Sequence, residues 1–244
     1  MAHLVFPIDI QIPVSEALPK IRAAHTYLVK HGVRALAAHA TENLAYWGTH
    51  VKRIHVHFPK GDRPELIDPD IESHNLTEVY NQCATMERLI DGLQWAQIAL
   101  PDYEVLLCHP TTSSVQESKS KTPDHGMSSL EDGKPQIPDH DLVLINARDQ
   151  LACFEVSDVV NKLVDSNRKE KKDLTSLGVL PRADAPVAHQ WPKARVFLIV
   201  SKEFADILKK RGTGFSKQKP SYFYQPCFKN EQTSIFEVLP ALSS

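Results

Sequence analysis

The sequence predicts a mixed α/β (α+β) protein with a central sheet flanked by helices. Three observations predict it. Apolar residues from Leu76 to Leu100 recur at helical spacing. Three short strand-like runs follow, and a fourth lies at Arg195 to Val200. From Leu76 to Lys210 the elements therefore read helix, strand, strand, strand, helix, strand, helix, the order αβββαβα. A three-strand meander, a crossover helix and a further strand make a mixed sheet.

Each element has a local reason. Ser15 to Ala45 is rich in Ala, Leu and Val; Ser15 is a candidate helix cap and Gly32 a break between two helices. Val51 to Phe58 alternates apolar with basic or His residues, as a half-exposed strand does. Pro59, Pro64 and Pro69 punctuate a loop. In the long helix Val79, Cys83, Met86, Leu89, Ile90 and Leu93 form the inward stripe, and Pro101 ends it. Tyr103 to Cys108 is a strand. Residues 111–138 are rich in Ser, Lys, Asp, Gly and Pro and read as a long mobile loop. Asp158 to Lys172 is helical with Asp158 as its cap, Arg195 to Val200 is a buried strand, and Glu203 to Lys210 is a short helix. Tyr222 to Tyr224 and Ile235 to Leu239 are candidate late strands. These readings divide the chain into an N-terminal subregion (1–70), a core (71–211) and a basic extension (212–244), expected to form one continuous domain.

Between the loop and the second helix lies the most informative stretch. Asp141 to Ile145 and Leu151 to Phe154 are apolar runs joined by Asn146-Ala147-Arg148-Asp149-Gln150, which is turn material. A hairpin folded about Arg148 places Asp141 and Glu155 opposite each other, since each is seven positions away. Like charges so close repel unless a cation lies between them, and carboxylate oxygens suit hard cations such as Mg2+. Asp139 shares strand parity with Asp141 and faces Ser157. Hairpin symmetry selects Asp141 as the first ligand; the alternative for Asp139 is a turn residue after Pro138.

The element order and the acid positions together resemble the PD-(D/E)XK nuclease superfamily, and within it the type II restriction endonucleases. The residues that carry the resemblance are Pro138, Asp139 or Asp141, Glu155, Val156 and Ser157. They cover a short motif; the element order covers a little over half the chain. The resemblance implies a restriction-endonuclease-like sheet and an Mg2+-dependent endonuclease, with Mn2+ as a substitute, that hydrolyses phosphodiester bonds in double-stranded DNA. It implies Asp141 and Glu155 as metal ligands, joined by Asp139 and by Glu87 from the long helix. The alternative for Glu87 is a solvated helix-face charge. The family's lysine position is occupied by Ser157, so Ser157 and Lys162 of the following helix are the candidates for holding the attacking water. A serine supplies no cation there, and a DNA-binding protein without catalysis is the alternative reading.

Charge and composition set the remaining bounds. The net charge of −2 gives no global sign of nucleic-acid binding, so any basic footprint is local. Residues 193–229 hold nine basic side chains against two acidic ones, interleaved with Tyr222, Phe223, Tyr224 and Phe228. Lys209, Lys210, Arg211, Lys217 and Lys219, beside Gly212 and Gly214, are the candidate phosphate contacts, with a solvated loop as the bland alternative. A homodimer matches a palindromic DNA site. His55 and His57 form an HxH without a third ligand at recognisable spacing, which leaves a zinc or protein-interaction module as a third class. Four separated cysteines form no CxxC pair. No apolar run approaches membrane-span length, and the N-terminus lacks a signal-peptide pattern, so the expected location is cytoplasmic.

Overall fold

A computed structural model describes residues 4–40, 54–110, 140–157, 194–202, 205 and 222–240. A seven-stranded mixed sheet carries two long helices. The elements are β1 (Ile12–Pro13), α1 (Val14–Ala40), β2 (His55–His57), β3 (Ser73–Asn75), α2 (Leu76–Ala99), β4 (Tyr103–Cys108), β5 (Leu142–Asn146), β6 (Leu151–Ser157), β7 (Arg195–Ser201), β8 (Tyr222–Lys229) and β9 (Thr233–Pro240). The large sheet runs β1-β4-β5-β6-β7-β9-β8. Only its β6–β7 pair is parallel, with Glu155 beside Leu198. β2 and β3 form a separate antiparallel pair. The helices expected over 158–172 and 203–210 lie outside the described residues, except for fragments at Lys202 and Ala205.

Local chemistry explains α2. Asn75 caps it, its Oδ1 accepting the Thr77 N–H at 2.8 Å, and Glu78 sits in the positive first turn. Pro101 follows the last turn, where the Leu100 N–H still reaches the Ala96 carbonyl. The buried stripe contains every inward residue expected except Ile90, which is half-buried. Trp95 packs edge-on to Phe154 and Phe197, whose rings stack 4.7 Å apart.

The N-terminal third departs from the sequence reading in three places. α1 runs unbroken through Gly32, which is itself buried in line with Ala17, Ile21, Ala24 and Leu28, and Ala35 beyond it packs against the same core. A side chain on Gly32 would stand 3.6 Å from Val79 of α2, so the glycine lies at the helix contact and its helix cost of about 1 kcal/mol is offset by packing. α1 also starts at Val14, which puts Ser15 inside the first turn instead of at the cap. Of the strand expected over Val51 to Phe58, the described residues show His55–His57, with Ile54 and Phe58 outside it.

One apolar cluster includes Leu4, Ile21 and Leu28, then Leu89 and Phe154, and finally Ile235. It thus draws on all three segments into which the sequence was divided. This cluster lies between the helices and one face of the sheet, the face bearing Leu142, Leu144, Ala152, Phe154, Phe197 and Ile199. Strand alternation sends Val143 and Cys153 to the opposite face, where they form a second cluster with Leu151.

Candidate functional site

The hairpin folds in the expected register. Leu142 pairs with Phe154, Val143 with Cys153, Leu144 with Ala152 and Ile145 with Leu151. One step further along the same ladder sets Asp141 opposite Glu155. The turn enforces this register. Asn146 Oδ1 accepts the N–H groups of Arg148 and Gln150 at 2.9 and 3.0 Å, and its Nδ2 donates to Gln150 Oε1 at 2.9 Å. The three-residue loop closes with Asp149 at φ 55°, the left-handed position that such loops require.

Both acids are buried: Asp141 is 3% exposed and Glu155 5%. Their side chains leave the sheet on the face of Val143 and Cys153, away from α1 and α2. Asp141 is bound into the strand end. Its backbone carbonyl accepts the His109 N–H at 2.7 Å, and its Oδ2 accepts the Val156 N–H at 2.7 Å. His140, 6% exposed, brings Nδ1 to 3.3 Å from Glu155 Oε2. The sequence reading passed over His140; its signal was a lone histidine between two acids at the mouth of an apolar strand. Burial raises the neighbouring thiols, with the acids adding to it: Cys153 is pushed up to about 12, first by desolvation and then by the Glu155 charge. Cys108 is raised in the same way, with Asp141 as the secondary cause.

The remaining candidates fall elsewhere. Glu87 is half-exposed and pairs with His25 Nε2 of α1 at 3.2 Å. It stands on α2, which packs against the face of the sheet that bears Phe154. Ser157 ends β6 opposite Val200 of β7. Asp139, Lys162, Lys209, Lys210, Arg211, Lys217 and Lys219 lie outside the described residues, as does the expected loop over 111–138. His55 and His57 both point outward from β2, on either side of the buried Val56.

The donor set fits a hard divalent cation. Two buried carboxylates lie at one end of the hairpin, and Mg2+ is commonly held by one or two carboxylates, with water and substrate phosphate completing its shell. Among the described residues no group of three or more His, Cys, Asp or Glu side chains converges closely enough to hold a metal ion. A protein-only cage, such as a structural zinc site needs, is thus not formed by those residues. Among them, no helix is long and apolar enough to cross a membrane. Comparison with known proteins finds no matching family model, no matching curated protein and no matching solved structure.

Proposed function

We propose that this protein is a divalent-cation-dependent endonuclease acting on double-stranded DNA, similar to type II restriction enzymes, with Mg2+ as its ion and Mn2+ as a substitute. The observation that carries the reading is the pair Asp141 and Glu155, both buried and brought opposite each other by the register of an antiparallel hairpin whose second strand also pairs in parallel with β7. Two acids in one buried strand end are costly to keep unless their charge serves a ligand. A bound cation supplies charge neutralisation at the attacked phosphate and acidifies water. The chain supplies the rest. Asp141 and Glu155 orient the ion, and Ser157 with Lys162 holds the attacking water. Lys209, Lys210, Arg211, Lys217 and Lys219 neutralise phosphates along the DNA. A homodimer would match a two-fold DNA site.

Plasmid cleavage tests this. Purified protein with Mg2+ or Mn2+ should nick or linearise supercoiled plasmid, and EDTA should stop it. Glu155→Gln should abolish cleavage while preserving metal-free DNA binding. The occupation of the family lysine position by Ser157 favours one rival, a DNA-binding protein that does not cut. It predicts retained DNA affinity with no cleavage at any Mg2+ or Mn2+ concentration.

A further inference from the structure

We propose that His140 is a positioning residue that holds Glu155 in place for cation capture, a proposal that rests on the reading of Asp141 and Glu155 as a cation site. The two acids are clamped reciprocally across the hairpin. Asp141, on the first strand's side, is bound by the Val156 N–H of the second strand. Glu155, on the second strand, is met by His140 from the first strand's side. Both contacts are diagonal, and both lie on the open-end side of the rung that sets Asp141 opposite Glu155. With Glu155 ionised the carboxylate only accepts hydrogen bonds, and Nδ1 of His140 would then carry the proton that faces Oε2.

The clamp has a physical use. A glutamate has three rotatable side-chain bonds and Asp141 has two, so Glu155 loses more if left unheld. The imidazole is rigid, buried and one residue from Asp141, which lets the same turn of backbone fix both acids. At 3.3 Å the contact is longer than a usual charge-assisted hydrogen bond. The contact restricts the rotamer of Glu155. Partners of this kind behind metal-binding carboxylates change affinity by about 10- to 100-fold.

The experiment uses the full-length protein and Mn2+ alone as the probe. Calorimetric titration should show the Mn2+ dissociation constant weakened by about 10-fold or more in His140→Ala, and restored to within about threefold of wild type in His140→Asn, whose amide N–H replaces Nδ1. His140→Gln, which carries its amide one atom further out, should rescue less. Long-range imidazole 15N spectra should show His140 protonated at Nδ1, and Glu155→Ala should shift those signals. If His140→Ala fails to fold, the Asn and Gln variants still give the comparison. Wild-type affinity in His140→Ala overturns the proposal. So does a folded His140→Asn that binds no better than His140→Ala, which would make His140 a direct ligand, and so do imidazole signals unmoved by loss of Glu155. Wild-type protein that takes up no Mn2+ sinks the cation reading itself, and the role of His140 falls with it.

Discussion

The carboxylate of Asp141 takes the Val156 N–H at 2.7 Å, so the side chain of one strand replaces the backbone acceptor that the ladder would otherwise supply. This ties a proposed metal ligand to the mechanical end of the hairpin. Asp141→Ala should therefore have two separable effects. It should lose cleavage, and it should also lose about 1–3 kcal/mol of stability, because a partly buried N–H is left without its acceptor. Asp141→Asn keeps an acceptor oxygen and should retain most of the stability with no cleavage. Urea denaturation alongside plasmid cleavage checks both. A fully active Asn variant would remove Asp141 from the site.

The turn should contribute measurably to the stability of the hairpin. Asn146→Ala loses three side-chain hydrogen bonds and should cost about 1–2 kcal/mol. Asp149 occupies the left-handed position at φ 55°, so Asp149→Gly should stabilise by roughly 0.5–1 kcal/mol and Asp149→Val should destabilise by about 1–2 kcal/mol. Thermal midpoints check all three variants. Asp149→Gly should melt at or above wild type, while Asp149→Val and Asn146→Ala should both melt below it.

Gly92 of α2 packs closely against Ile199 of the sheet. A Cβ there would lie 2.6 Å from Ile199 Cδ1. Gly92→Ala gains helix propensity of about 1 kcal/mol but overpacks a fully buried side chain. Ile199→Val removes the clashing methyl. The double variant should exceed the sum of the singles by about 1 kcal/mol or more in a denaturation cycle. Additivity would show that α2 shifts to make room.

Stability should fall on the alkaline side. The Cys83 and Cys153 thiols are pushed up to about 12 by burial, with Glu87 and Glu155 as the respective secondary causes. Between the ordinary value of 9.0 and about 12 the unfolded chain loses these protons while the folded chain keeps them. Unfolding is favoured there as pH rises, by up to about 1.4 kcal/mol per pH unit for each such thiol. The contribution is fully present below pH 9 and is lost towards pH 12. Cys153→Ala should flatten this decline, measured as urea midpoints from pH 8 to 10.5. An unchanged slope would place the alkaline loss elsewhere.

DNA binding by the basic segment has its own signature. Replacing Lys209, Lys210 and Arg211 together by Ala should weaken binding to all sequences alike. The slope of log affinity against log salt should shrink by roughly 0.9 for each phosphate that is no longer neutralised. An unchanged slope would move the DNA face to the segment from Asp158 to Lys172.

The hairpin was legible in the chain because its information is local. Asn146 to Gln150 selects a turn, period-two alternation selects the faces, and the two together place Asp141 opposite Glu155 before any long-range contact is considered. The span of α2 was legible for the same reason: an apolar stripe and a terminating proline lie within one segment. What depended on packing was not legible. Gly32 reads as a break until Val79 is seen against it. Glu87 shows no partner in the sequence, and only the folded chain brings His25 of α1, distant in sequence, to its carboxylate. His140 reads as a linker residue until the closed hairpin brings Glu155 to its ring. Helix faces and buried side-chain partners are chosen by contacts between residues far apart in the chain, and no window of sequence contains both members of such a contact.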